Sequence, residues 1–429
     1  MFERRNTRIM VDGRGHILRR AHAARTMQRS IPTHASIPHG SMKLVLAAIS
    51  LALFMDSLVY GMIAPVVPYY ADVIGASDLE IGIIFSAYPI VQLLTLMPVG
   101  ALSDRYGRRP FIILGLIILI VSTIAFAISD NVPQLILTRG IQGLAASCTI
   151  TAGLALVSEG VPSDRRGGTL AVATASQGAG IMAGPLFGGS LVDVGGYPFP
   201  FLVAAALTLI ILTLTATALR GPRPKHLERD RCARTGHGEV LRDKTVLAIV
   251  LIVVIWGVGF GIIEPAYPLY LSEDFSATAS MIGVFFTAMS IPSVLSQPFF
   301  GRLSDKIGRK RIVITASLLF SMLFSLMAMV DSFSLLLAVS ALLGMSSGML
   351  WAPSLPLMIE SMTRRLGKGS AGIANGLYNS AWALGLAGGP LIFGLLVEPI
   401  GLEPISLVYS TIAAAIAVAS IWLITECRG

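Results

Sequence analysis

Gly100 to Arg109 reads G-A-L-S-D-R-Y-G-R-R, and Gly301 to Lys310 reads G-R-L-S-D-K-I-G-R-K, the same pattern 201 residues later. The register also carries Asp130 onto Asp331, Gly143 onto Gly344 and Glu159 onto Glu360. At an offset of 200, the run G-M-I-A-P-V-V-P-Y-Y from Gly61 falls on G-I-I-E-P-A-Y-P-L-Y from Gly261. A register held this long means two copies of one structural unit. Both copies are mostly apolar, and paired repeats within a membrane are the plan of many secondary transporters.

The chain is 54% hydrophobic and only 13% charged, well below the charged share of a soluble protein. Twelve apolar runs are each long enough to cross about 30 Å of hydrocarbon. They predict helices near 44–70, 79–103, 110–129, 133–158, 168–193, 198–219, 245–272, 280–303, 311–330, 333–360, 369–397 and 404–425. The expected fold class is an all-α integral membrane protein, twelve transmembrane helices in two six-helix repeats. The expected organisation is a disordered basic tail (1–42), a first bundle (43–219), a linker (220–243) and a second bundle (244–429).

A net charge of +8 could suggest nucleic acid, so its placement matters more than its size. Of the 32 Lys and Arg residues, all but Arg139 fall in the tail, the C-terminus and the loops that this helix count puts on one side. The opposite loops hold Asp72, Asp78, Asp130, Asp193, Glu273, Asp274, Asp331, Glu398 and Glu403, and no Lys or Arg. This positive-inside bias predicts a multi-pass protein of the plasma (inner) membrane with both termini cytoplasmic, in contact with lipid and not nucleic acid. The tail admits two other readings, a targeting presequence or translation starting at Met27 or Met42.

Cys148, Cys232 and Cys427 are too scattered for a disulfide framework. All six histidines lie in the tail or the linker, so a metal site in the membrane is not expected and proton chemistry there must use carboxylates.

The doubled loop places Asp104 and Asp305 at the C-terminal ends of helices 2 and 8, where the helix dipole disfavours an anion. Arg105, Arg108 and Arg109 surround the first, and Lys306, Arg309 and Lys310 the second. Gly107 and Gly308 permit the reversal into the next helix, and Gly100 and Gly301 open each motif. Glu159 and Glu360, at the same side on helices 4 and 10, are further partners. The expectation is a charge latch that closes the cytoplasmic side in one state. With these residues in hand, the chain resembles the major facilitator superfamily over about residues 44–425, with Gly100 to Pro110 matching its helix 2–3 loop. The resemblance implies two six-helix bundles around a cavity open alternately to each side.

Gly180, Gly184 and Gly188 recur every four residues on helix 5, with Pro185 and Gly189 beside them. Small residues at that spacing let another helix approach closely, and the proline bends the helix. The string G-x-x-x-G-P-x-x-G-G resembles the antiporter motif of drug:proton antiporters.

Asp56 lies about twelve residues into helix 1, roughly 18 Å along its axis and so near mid-bilayer. A carboxylate there costs about 2.5–3.5 kcal/mol, which favours a wet cavity, a partner or a bound proton. The run D-S-L-V-Y-G-M-I-A-P-V-V-P resembles helix 1 of tetracycline-type and vesicular-amine-type antiporters. Arg139 is the cation outside the basic set, with Ser340 at its repeat position; tuning a carboxylate and structural bridging both remain open for it. Glu264 precedes Pro265 in helix 7, where a local break is expected; it could be a second proton site, a cation site, a gate or a solvated residue.

Asn375, Asn379 and Trp382 form a polar-aromatic stripe on helix 11, with Tyr378 alongside. They are candidate substrate-cavity residues, joined by Gln142, Tyr60 and Tyr267. The sequence thus predicts a proton-coupled antiporter exporting a small amphipathic, possibly cationic, compound. It is expected to act as a monomer, with no cofactor beyond the proton gradient. A proton symporter for a nutrient is the alternative; a membrane enzyme lacks any recognisable nucleophile or metal motif, and a sensor would move no solute.

Overall fold

The computed structural model describes residues 39–161, 166–219, 243–366 and 371–425. Among the described residues, twelve helices are long and apolar enough to cross a membrane. We number them as spans: 1 (Lys43–Asp72), 2 (Asp78–Tyr106), 3 (Arg108–Ala127), 4 (Val132–Gly160), 5 (Gly168–Gly195), 6 (Pro198–Ala218), 7 (Lys244–Phe275), 8 (Ala279–Ile307), 9 (Arg309–Met327), 10 (Phe333–Arg364), 11 (Ile373–Ile400) and 12 (Leu402–Leu423). Each lies within a few residues of its expected place. The first helical stretch begins at His39, inside the expected tail. The rest of that tail and nearly all of the linker lie outside the described residues.

The repeat is visible as packing. Gly143 on span 4 presses on the backbone of Tyr88 on span 2, and Gly344 on span 10 presses on Met289 of span 8, both pairs 201 residues apart. A side chain at either glycine would collide with a carbonyl oxygen. The loop glycines behave as the motif predicts: Gly107 has φ of 98° and Gly308 of 102°, a region that favours glycine.

One expectation about proline needs correcting. Span 7 runs unbroken through Pro265 and Pro268. It is span 1 that breaks, its α-helix ending at Gly61 before a 3₁₀ turn at Ala64–Val66 and a short helix, Val67–Asp72. Both spans carry the same proline pair, so the prolines by themselves do not decide where the chain tightens. Gly257 and Gly261 keep span 7 close against span 11, with Gly385 Cα and Gly389 Cα 3.1 and 3.0 Å from where their Cβ atoms would be.

The two halves meet at the end carrying the acidic loops. Span 8 crosses span 5 where Gly283 faces Pro185, and span 2 crosses span 11 where the Ser86 hydroxyl donates to the Ala387 carbonyl at 2.7 Å. Toward the basic end the halves part: a Cβ on Gly178 of span 5 or on Gly376 of span 11 would meet nothing within 4 Å. The protein is closed at its acidic end and open at its basic end.

Candidate functional site

At the bottom of that opening, two carboxylates from different halves sit in one cluster. Asp56 of span 1 is 2% exposed, and its Oδ2 accepts from the Tyr88 hydroxyl at 3.3 Å. Glu264 of span 7 is part-buried, and the Tyr60 hydroxyl lies 2.8 and 2.7 Å from its two carboxylate oxygens. Tyr60 belongs to span 1, so this bond joins the halves. The Tyr60 and Tyr88 rings are 4.8 Å apart. Arg139 of span 4, with 0% exposure, lies over both rings, its Cζ 5.2 Å from the Tyr60 centroid and 4.8 Å from that of Tyr88. A guanidinium stacked in this way is held by the ring quadrupoles, and both acids lie within electrostatic reach of its charge. Gln142, one turn along, accepts from Arg139 Nη1 at 3.0 Å and sets its orientation. Asp56 Oδ1 and Arg139 Nε and Nη2 have no hydrogen-bond partner among the described residues. Glu264 is therefore not a simple solvated residue, and Gln142, 1% exposed, holds the arginine rather than lining a cavity.

Sequence reasoning missed Tyr88. It is a buried polar aromatic in an apolar helix, and only the crossing of spans 1 and 2 brings its hydroxyl to Asp56. The second half contributes an aromatic wall that was likewise seen only in part. Trp256, Phe260 and Glu264 share one face of span 7 by four-residue spacing. Trp382 packs on Trp256 and Phe260 with centroids at 4.7 and 5.6 Å, and Trp351 of span 10 lies 5.1 Å from Trp256. Asn375 and Asn379 are exposed, the Asn379 amide donating to the Asn375 side chain at 3.0 Å. Tyr378 is buried with its ring edge-on to Trp351, and Tyr267 is wholly buried with its ring stacked on Phe285. Neither tyrosine faces the opening, because their rings fill gaps between helices.

The glycines of span 5 divide into two faces. Gly180, Gly184 and Gly188 press on Phe54, Leu58 and Met62 of span 1, inside one half. Gly189 instead presses on Ala279 of span 8, in the other half. Pro185 sits where the two faces meet, its carbonyl against Gly283 and its ring against Gly61.

At the basic end, Arg108 pairs with Asp104 and, at 3.0 Å, with Glu159, while its Nη1 donates to Ser103 at 2.7 Å. Arg309 repeats this with Asp305 at 3.0 Å and Glu360 at 3.2 Å, and Arg364 adds a contact to Glu360 at 3.5 Å. Every one of these pairs lies within one half; those of Arg108 and Arg309 join consecutive spans, that of Arg364 lies within span 10, and none closes the opening. The aspartates are more open than the motif suggested, with side-chain exposures of 41% for Asp104 and 62% for Asp305. Arg105 is exposed over the Tyr106 ring, and Arg109 stands at the start of span 3 beside Pro110.

Two six-helix halves around a central cleft, with charged groups deep in the apolar region, define a membrane transporter. The sequence profile of the Major Facilitator Superfamily matches residues 49–261 and 247–427, and the chain belongs to that superfamily. It is 25% identical over 366 residues to the MFS-type transporter SLC18B1 of Mus musculus, covering 81% of this chain and 78% of that one. It is 26% identical over 325 residues to the synaptic vesicular amine transporter of Homo sapiens, covering 76% of this chain but 62% of that protein, less than two thirds of its length. A solved bacterial homolog of the human lysosomal transporter Spinster, in an inward-facing and occupied conformation, superposes with a TM-score of 0.75. That match covers 91% of this chain and 98% of the other at 14% identity, and speaks to the fold alone.

Proposed function

We propose that the protein is a proton-coupled antiporter that exports a small amphipathic compound, with an organic amine as the favoured class. The observation that carries this reading is the Asp56–Tyr88 and Tyr60–Glu264 pairs, one acid from each half, gathered around Arg139 at the foot of the opening. An acid buried this deeply has two stable forms, protonated or paired with a cation. A proton and a cationic substrate therefore compete for the same carboxylates, which is the elementary requirement of exchange. The similarity to a vesicular amine transporter agrees with an amine as the cation, and the Trp256–Phe260–Trp382 wall offers an apolar, π-rich surface for its body.

In this reading the basic end faces the cytoplasm and the opening is where substrate enters. A proton arriving from the acidic-loop side neutralises a carboxylate, releases the substrate there and returns with the empty carrier. Each unit charge moved is worth about 2.3 kcal/mol per 100 mV, enough to drive uphill transport. The paired charges around Arg108 and Arg309 are the parts that would rearrange into a closed basic end. The plasma membrane is the proposed location, and a single chain is the proposed working unit.

The test is substrate movement in inverted vesicles. Asp56→Asn should abolish transport driven by a pH gradient while leaving the purified protein folded. Undiminished gradient-driven uptake in that variant would remove Asp56 from the coupling. Acidification rather than alkalinisation of the substrate-receiving side, measured against the direction of flux, would convert the antiporter into a symporter.

A further inference from the structure

The closed acidic end is sealed by two helix pairs related by the repeat, and their first turns are capped differently. On one side, Gly394 of span 11 packs on Asp78 and Leu79 at the start of span 2. Span 2 caps itself: Ser77 Oγ accepts from the Glu80 N–H at 3.4 Å, and the Glu80 carboxylate accepts from the Ser77 N–H at 2.9 Å. On the other side, 201 residues earlier than Gly394, stands Asp193 at the end of span 5. It meets the start of span 8, where Thr278 matches Ser77 but Met281 stands in the place of Glu80. Span 8 has no acid in its first turn. Thr278 Oγ1 accepts from the Met281 N–H at 3.3 Å, and Asp193 Oδ2, from the opposite half, accepts from the Ser280 N–H at 3.1 Å.

We propose that Asp193 is a gate-positioning residue of the transport cycle, capping span 8 across the acidic-side closure and favouring the conformation open at the basic end. A helix N-terminus carries partial positive charge and unpaired N–H groups, so a carboxylate is the group it attracts. The bond exists only while the halves touch at that end, and a contact made in one of two states biases the equilibrium between them. Other charges at the same rim act the opposite way. Asp78 is within electrostatic reach of Glu398, and Glu273 within reach of Asp72 and Asp78, so carboxylates of one half face those of the other. Asp193 offsets that repulsion with an attraction. Its side chain is exposed, so replacing it disturbs no packing.

The experiment uses a background with Cys148→Ala, Cys232→Ser and Cys427→Ser and a reporter, Thr287→Cys, one turn deeper than Gly283 on the same face of span 8. A membrane-impermeant maleimide is applied from the side of the acidic loops, so its labelling rate follows how often that end opens. Asp193→Ala should raise the rate by about two- to fivefold, the range for a charge at an exposed helix terminus. Asp193→Glu should bring it back toward the parent. Glu80→Ala, which removes a cap made within one half, should leave the rate unchanged. A parent-like rate for Asp193→Ala, or an equal rise for Glu80→Ala, overturns the proposal. The reporter senses opening and not proton movement, so the outcome is independent of the role given to Asp56.

Discussion

Gly283→Ala should tip the protein away from its basic-end-open conformation. A Cβ at this position would sit 2.5 Å from the Pro185 carbonyl oxygen and 3.0 Å from Leu186 Cα, both backbone atoms of the opposite half. Ordinary contact begins at 3.4 Å, so spans 5 and 8 must separate by about 0.9 Å to admit one methyl group. Overpacking of this kind costs roughly 1–3 kcal/mol. Spans 5 and 8 are apart at this end when the acidic side is open, so the cost falls on one state alone. The ratio of the two conformations should then move by roughly 5- to 150-fold, at a factor of ten per 1.4 kcal/mol. The matched control is Gly184→Ala, whose Cβ would lie 2.6 Å from the Leu58 carbonyl and 3.0 Å from Gly61 Cα. That clash is as severe but lies between spans 1 and 5 of one half, so it should lower the melting temperature and leave the conformational ratio near the parent's. Spin labels on Val73→Cys and Ile400→Cys, exposed at the acidic ends of spans 1 and 11, read the separation of the halves by pulsed electron resonance. A longer distance population should appear with Gly283→Ala and not with Gly184→Ala. An unchanged distribution for the first, or the same new population for both, would refute the assignment of this contact to the gate.

The tyrosines should separate by the quality of their bonds. Tyr60→Phe strips Glu264 of the donor that reaches both its oxygens, and hydrogen bonds to charged groups contribute about 1.5–3 kcal/mol, so gradient-driven transport should fall by about tenfold or more. Tyr88→Phe should do less, since its bond to Asp56 is longer at 3.3 Å; vesicle transport rates showing the reverse order would contradict this ranking. At the basic end, Glu159→Gln should cost no more than about 1 kcal/mol of stability, because the pair is partly exposed and Arg108 keeps Asp104. A much larger loss in a thermal melt would mean that the pair behaves as a buried one.

Twelve spans, two repeats and the sidedness of the loops were legible in the chain because each rests on a one-dimensional property. Length of apolar run, period of repetition and placement of Lys and Arg need no third dimension. Asp56, Arg139 and Glu264 stood out for the same reason, as ionisable groups in hydrocarbon-length runs. What joins them did not: Tyr88 reaches Asp56 and Tyr60 reaches Glu264 only after helices from distant parts of the chain cross. The glycine string of span 5 looked like a single packing stripe, yet Gly189 turns from span 1 to span 8 because one residue of helix rotates the side-chain direction by about 100°.

The sequence by itself determined a membrane carrier of two like halves and named the charges inside it. The tertiary structure alone decided which end is shut, which groups are bonded across the halves, and that the loop charges of Arg108 and Arg309 are satisfied within their own halves. The physical reason is that both conformations of such a carrier share nearly all their local structure. They differ in a few contacts between helices remote in sequence, where a glycine, a carbonyl or a carboxylate such as Asp193 meets a partner some ninety residues away.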